Sequence, residues 1–259
     1  LNRKYKRLLA RKAAALLRRK ELSHGITRHR TKYSIPGTMQ SGYPDTSYGD
    51  TATNEVAKAG IFGLGNNWLS IVCGDDSVTV MSRKLAEDLG GPEGMFARYA
   101  ELGLEATGGL KTDPLDVEFC SGRFHPMGES FVLMPKPGKL LARLGTCRDD
   151  LGRNNLMAWL RGIGNTAKTF GGVDPLLAAL SLSIQGHTGD GRARMERSEY
   201  GHKLSSTTKA SQHDILTYYA HHYGMRQRDV SEAVQHILDT PIGTPYTHPY
   251  IKHMAHIDT

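Results

Sequence analysis

Two neighbouring carboxylates form the chemically most distinctive pattern of this sequence. Asp75 and Asp76 follow Gly74 between two β-rich segments, residues 68–73 and 77–81, which predicts a hairpin with both acids at its tip. Like charges this close resist joint ionisation unless cations bind them, and Mg²⁺ or Mn²⁺ prefers carboxylate oxygens. Paired ions of this kind stabilise the attacking and leaving oxygens in nucleotidyl transfer. We therefore interpret Asp75 and Asp76 as candidate catalytic metal ligands.

The tripeptide alone leaves a second interpretation open, because glycine and aspartate also favour hairpin turns for purely conformational reasons. An upstream pattern favours the chemical interpretation. Ser41 and Gly42 open a predicted loop, and Thr46 follows at the start of a helix predicted over residues 46–59. A glycine-containing loop, a helix and an acidic hairpin thus follow one another within about 40 residues.

In this order, the two patterns resemble motifs B and C of the RNA-dependent RNA polymerases of positive-strand RNA viruses, more closely the tombusvirus-like and nodavirus-like groups. Ser41, Gly42 and Thr46 resemble motif B, and residues 71–80 resemble motif C. Three later segments resemble motif D, motif E and the entry into the thumb: residues 96–110, 117–126 and 134–145. The resemblance covers roughly residues 20–150, and only the combination of motifs is specific.

The resemblance implies template-directed RNA synthesis by two-metal nucleotidyl transfer. The implied partners are an RNA template, its nascent strand, nucleoside triphosphates and other viral replication proteins. The implied location is the host cytoplasm, including membrane-associated replication complexes. Motif A, which supplies a further metal-binding aspartate in this family, is expected before Leu1, so the chain by itself is expected to be inactive.

The fold implied is α+β, with a polymerase palm followed by a mostly helical thumb. The palm would be an antiparallel sheet with backing helices over residues 36–144. Residues 1–35 would form a basic helix and arm between motifs A and B. Residues 145–259 would form the thumb and a C-terminal tail.

Individual residues receive roles from the same resemblance. Ser41, Gly42 and Thr46 would contact the template and the incoming nucleotide. Asp50 stands where the family usually has an asparagine that reads the ribose 2′-hydroxyl, and the nearest asparagine is Asn54.

Lys111 would protonate the leaving pyrophosphate; a lysine that is simply exposed in a turn is an alternative of at least equal weight. The primer grip would be Phe119, Cys120 and Ser121. RNA phosphates would be contacted by basic residues of the thumb, namely Arg143, Arg148, Arg153 and Arg161.

Charge is distributed unevenly along the chain, whose net charge is +7. Residues 1–33 carry a net charge of +11, residues 34–134 carry −8 and residues 135–228 carry +7. Basic flanks attract phosphate backbones, whereas an acidic middle repels them unless cations intervene. The pattern suits an enzyme that holds nucleic acid and uses divalent metal, and an unevenly charged solvated surface is the alternative.

The remaining segments are assigned by periodicity. Residues 1–22 predict a basic amphipathic helix that ends at Ser23, and residues 26–35 a weak strand or extended arm. Strands are expected at 104–106, 117–120 and 130–134, the last two paired across a turn at 122–128, with Cys120 as a packed thiol. Helices are expected at 92–102, 139–144, 151–163, 175–184, 213–223 and 230–238, with a mobile loop at 186–209. The longest apolar segment, residues 176–184, is too short to span a membrane.

Two other functions remain open at this level. A non-enzymatic basic protein that binds or packages RNA would share the positive flanks, but its RNA binding would not depend on Mg²⁺. A reverse transcriptase-like polymerase would share paired aspartates on a hairpin. The Ser-Gly loop and the spacing of the primer-grip segment favour the RNA enzyme over the latter.

Overall fold

A computed structural model describes residues 22–26, 30–36, 46–144, 153–193 and 209–259. The helix expected over residues 1–22 lies almost wholly outside these ranges, as do Ser41, Gly42 and Arg148. The chain divides into two compact units, an N-terminal unit up to Gly108 and a C-terminal unit from Gly109. The boundaries expected after residues 35 and 144 stay predictions.

Within its described residues, the N-terminal unit contains two hairpins and three helices. Strands β1 (Leu22–Ile26) and β2 (Lys32–Pro36) pair antiparallel. Helix α1 (Thr46–Phe62) is followed by β3 (Trp68–Cys73) and β4 (Asp76–Met81), which form the expected acidic hairpin. Helices α2 (Arg83–Asp88) and α3 (Gly91–Glu101) complete the unit. Its small core consists of Ile61, Leu89 and Met95, with four partly buried neighbours: Phe62, Met81, Leu85 and Tyr99.

The C-terminal unit begins with a 3₁₀ turn, Pro114–Asp116, and a three-stranded antiparallel sheet. Its strands are β5 (Glu118–Phe119), β6 (Gly122–Met127) and β7 (Ser130–Pro135), with β6 in the centre. Six helices follow within the described residues: α4 (Pro137–Arg143), α5 (Arg153–Phe170), α6 (Pro175–Thr188), α7 (Gln212–Tyr223), α8 (Gln227–Asp239) and α9 (Pro249–Asp258). Small antiparallel sheets combined with many helices confirm the α+β class.

Proline marks the first turn of several helices, including α3, α4, α6 and α9. A proline there costs no hydrogen bond, because the first amide groups of a helix have no partner within it. Buried apolar residues of α6, such as Leu176, Leu177 and Leu180, pack in the large core of this unit with Tyr219 of α7 and Ile237 of α8.

A buried carboxylate, Asp258 of α9, joins four elements of this unit. It pairs with the Arg123 guanidinium at 2.7 Å and accepts a hydrogen bond from the Tyr223 hydroxyl. It also accepts hydrogen bonds from the backbone amides of Gly138 and Lys139 at the start of α4. Because α4 has no side-chain cap of its own, Asp258 performs that task from the far end of the sequence.

Three sequence-based expectations are wrong. Residues 122–127 are the central strand of the sheet rather than a turn, so β7 pairs with β6 and not with residues 117–120. Gly122 suits this strand because an added Cβ would lie 2.7 Å from the Met134 carbonyl. Residues 104–106 form no strand, since they lie between Gly103 and Gly108, both with positive φ. Residues 22–26 form strand β1 rather than the end of the expected helix, whose other residues lie outside the described ranges; residues 32–35 of the expected weak strand or arm lie in strand β2.

Candidate functional site

The tip of the β3–β4 hairpin is a two-residue turn formed by Gly74 and Asp75. Cys73 and Asp76 are the last paired residues before it. Gly74 has a φ of +66°, a conformation that glycine adopts without steric cost. Asp75 and Asp76 are both exposed. The two acidic residues therefore lie exposed at the tip of the hairpin, as its sequence predicts.

Two side chains of helix α1 form hydrogen bonds with the main chain of this turn. The Thr51 hydroxyl accepts a hydrogen bond from the Gly74 amide at 2.8 Å and donates one to the Ser47 carbonyl at 2.6 Å. The Asn54 side-chain amide donates to the Asp75 carbonyl at 3.1 Å. These bonds hold the backbone of the turn. None of them involves the Asp75 carboxylate.

A buried lysine lies one turn further along the same face of α1. Lys58 is only 1% exposed, and its ammonium is 3.7 Å from the Glu55 carboxylate, which also accepts a hydrogen bond from the Ser70 hydroxyl of β3. Desolvation lowers the pKa of Lys58, partly offset by Glu55. Burial, together with Glu55, raises the pKa of Tyr99. Polar contacts thus tie helix α1 to β3 at Ser70, within the strand, and to the turn that follows it.

The predicted nucleotide-binding residues lie on α1 as far as they are described. Thr46 begins the helix, and Asp50 and Asn54 follow at intervals of four residues, which places all three on one side of it. Asp50 is half-buried. Thr51, adjacent to Asp50, reaches the acidic turn, so the structure brings the helix of the predicted motif B to the turn of the predicted motif C.

The other predicted site residues belong to the C-terminal unit. Lys111 is exposed in an irregular segment. Phe119 is buried, whereas Cys120 and Ser121 form an exposed turn between β5 and β6 with φ values of +48° and +60°. The expectation that Cys120 is a packed thiol on a strand is therefore wrong. A two-residue turn after Phe119 was not indicated by the sequence, because neither residue favours positive φ.

The predicted phosphate contacts are only partly described. Arg143 is exposed in the last turn of α4. Arg153 is the first residue of α5, and its side chain lies outside the described part of the structure, as does Arg148 altogether.

Several contacts at the turn were missed at the level of sequence. Thr51, Asn54, Glu55 and Lys58 follow intervals of three, one and three residues, which is the spacing of one helix face. Because these residues are polar, this face of the helix shows no apolar periodicity, which is the pattern that usually identifies a packed face. The helical spacing of the polar residues is the pattern by which the contact face could have been predicted.

Carboxylate oxygens at an exposed turn suit a hard divalent cation better than a soft one. Among the described residues, no group of three or more His, Cys, Asp or Glu side chains is placed to hold a metal ion. At its tip the hairpin offers two exposed carboxylates, those of Asp75 and Asp76. None of the described helices combines the length and apolar composition that crossing a lipid bilayer requires.

Comparison of the chain with protein-family models and with curated proteins found no match to either.

Proposed function

We propose that this chain contains the palm and thumb of an RNA-dependent RNA polymerase and that Asp75 and Asp76 are its metal ligands. The observation that carries the proposal is the attachment of α1 to the acidic turn through Thr51 and Asn54. In the proposed enzyme, that attachment holds the nucleotide-binding helix beside the metal-binding hairpin. The partners are then an RNA template with its nascent strand, nucleoside triphosphates and other viral replication proteins, and the location is the host cytoplasm.

The resemblance to the polymerase motifs supplies the roles of most of these residues, and the contacts of α1 with the turn support those of Thr51 and Asn54. Asp75 and Asp76 hold Mg²⁺ or Mn²⁺, joined by an aspartate of the motif A segment. When bound, such ions lower the pKa of a primer hydroxyl and stabilise the charge of a triphosphate. Thr51 and Asn54 are positioning residues that keep the turn in one conformation. Thr46 and Asp50 face the nucleotide, and Lys111 is a candidate proton donor to pyrophosphate.

The test is template-directed incorporation of labelled nucleotides by a polypeptide in which this chain follows a motif A segment. Asp75→Ala should lower incorporation by ~100-fold or more, since charge stabilisation by a metal clamp is removed. The matched control is Asp88→Ala, an exposed aspartate of α2 in the same unit. Activity of Asp75→Ala close to that of the parent would overturn the proposal.

A second measurement does not require activity. Binding of Mn²⁺ by the chain, followed by electron paramagnetic resonance, should weaken in Asp75→Ala and in Asp76→Ala but not in Asp88→Ala. RNA binding that is equal in Mg²⁺ and in chelator, with no Mn²⁺ bound at the hairpin, would favour the packaging protein instead.

A further inference from the structure

A small polar cleft lies between helices α5 and α6 of the C-terminal unit, with a volume of about 90 Å³. At its base the two helices approach closely, because Gly164 has no side chain: an added Cβ would lie 2.9 Å from Ile184. Pockets for whole small molecules usually measure about 300–1,000 Å³. The cleft therefore suits a single small group rather than a complete nucleotide.

Arg161 forms one wall of the cleft and is held in a fixed orientation. Its guanidinium donates to the carbonyls of Thr188, Gly189 and Arg192, at 2.8, 3.3 and 3.3 Å, where α6 ends. Gly191 makes room for it, since an added Cβ would lie 2.8 Å from the guanidinium carbon. A guanidinium has five N–H groups, so two remain beyond these three bonds.

Further donors line the same cleft. Asn165 and Lys168 follow Arg161 by four and seven residues, which places all three on one face of α5. Gln185 faces them from α6. The side chains of Asn165, Lys168 and Gln185 are exposed and have no hydrogen-bond or ion-pair partner within the part of the chain that the structure describes.

The charges in the cleft favour an anion. Arg161 and Lys168 contribute two positive charges, and Asp190 is the single acidic residue of the lining. A phosphate group matches this set in size, charge and number of acceptor oxygens. The donors are accessible from solvent, which is necessary if the phosphate belongs to a long nucleic-acid chain. The surrounding segment, residues 135–228, carries a net charge of +7.

We propose that the cleft between α5 and α6 binds one phosphate of a nucleic-acid backbone. Arg161 supplies a fixed guanidinium, and Lys168, Asn165 and Gln185 close around the remaining oxygens. Contacts of this kind give affinity without reading sequence. The inference does not depend on the polymerase assignment, because a non-enzymatic RNA-binding protein would use the same cleft.

The test is the salt dependence of binding to a fluorescein-labelled single-stranded RNA, measured by anisotropy with the full chain. Lys168→Gln should weaken binding for RNAs of different sequence, and the slope of log K against log salt should become shallower by about 0.7, as expected for one lost phosphate contact. The matched control is Lys252→Gln on α9, an exposed lysine outside the cleft, which should leave the slope unchanged.

Two outcomes would overturn the inference. The first is a slope for Lys168→Gln equal to that of the parent. The second is a cleft that binds inorganic phosphate, seen as Lys168-dependent chemical-shift changes in the amides of residues 161–168, while RNA affinity is the same in the parent and in Lys168→Gln. Arg161 is not used in the test, because its bonds to the end of α6 make it structural.

Discussion

The side-chain amide of Asn54 donates a hydrogen bond to the main-chain carbonyl of Asp75 over a distance of 3.1 Å. One turn earlier on the same helix, Thr51 accepts from the amide of Gly74. The two bonds provide partners for the Gly74 amide and for the Asp75 carbonyl, which belong to the same turn. The turn is therefore built jointly by the hairpin and by α1, and its conformation should respond to changes in either.

Removal of the Thr51 acceptor should loosen the turn. In Thr51→Val the Gly74 amide loses its partner, at a cost of about 1 kcal/mol, so its hydrogen exchange should accelerate several-fold. Exchange is measured by NMR on the full chain. Thr53→Val, an exposed position of the same helix, is the matched control and should leave the rate unchanged. Equal rates in the two variants would show that the bond does not hold the turn.

Two glycine substitutions should have opposite signs. Gly74→Ala places a side chain at a φ of +66° with no atom within 4 Å, so the cost is conformational and amounts to about 1–2 kcal/mol. Gly60→Ala lies in α1, also without a neighbour, and should stabilise the unit by about 0.5–1 kcal/mol. The readout is protection of β3 and β4 in hydrogen-exchange mass spectrometry. A Gly74→Ala variant in which β3 and β4 are as well protected as in Gly60→Ala would contradict the turn geometry.

Loss of the Asp258 charge should destabilise the C-terminal unit strongly. Asp258→Asn removes the buried charge partner of Arg123 and leaves the guanidinium with the more exposed Glu118; loss of a buried partner typically costs about 3–5 kcal/mol. Asp239→Asn, at the exposed end of α8, should change the free energy of unfolding by less than about 0.5 kcal/mol. Urea denaturation of both variants measures the difference. Similar midpoints for the two would rule out a structural ion pair at Asp258.

Asp174 should make stability depend on pH. This carboxyl caps α6 and accepts a bond from the Tyr219 hydroxyl, yet burial raises its pKa from 3.8 to about 6. A raised pKa in the folded state means that its contribution is fully present below pH 3.8 and is lost as pH rises through 6. The loss is of the order of 3 kcal/mol.

In the variant Asp174→Asn, the side chain at position 174 can still cap the helix but has no titratable group. The stability of the parent relative to Asp174→Asn should therefore fall between pH 4 and pH 7 in denaturant titrations. Asp239→Asn, measured in parallel, should show no such trend. A difference between parent and Asp174→Asn that stays constant across this range would contradict a raised pKa.

The elements that depend on residues close together in the sequence could be predicted. The hairpin around Gly74 and the helix from Thr46 have turn residues and β-branched residues in the expected places, and both are present. The strand from Gly122 to Met127 was not predicted, because a glycine at one end and Pro126 near the other are typical of a turn. Helix α9 was missed because its histidines and lysine obscure the apolar positions Ile251 and Met254.

Long-range contacts between polar groups could not be predicted. Lys58 and Asp258 are charged residues, which a sequence argument places at the surface, and each is buried by partners that only the fold supplies. The same limit applies to the cleft at Arg161, whose donors come from two helices. The chemical roles proposed for Asp75, Asp76 and Lys111 stay predictions.

The pairing of Arg123 with Asp258 also has a consequence for synthesis on the ribosome. The two residues are 135 positions apart. At roughly 5–20 residues per second, Arg123 emerges several seconds or more before its partner has been translated. During that interval Glu118 of the neighbouring strand is available to pair with Arg123, whereas the buried partner Asp258 is still missing. Completion of this unit must therefore follow translation of its last helix.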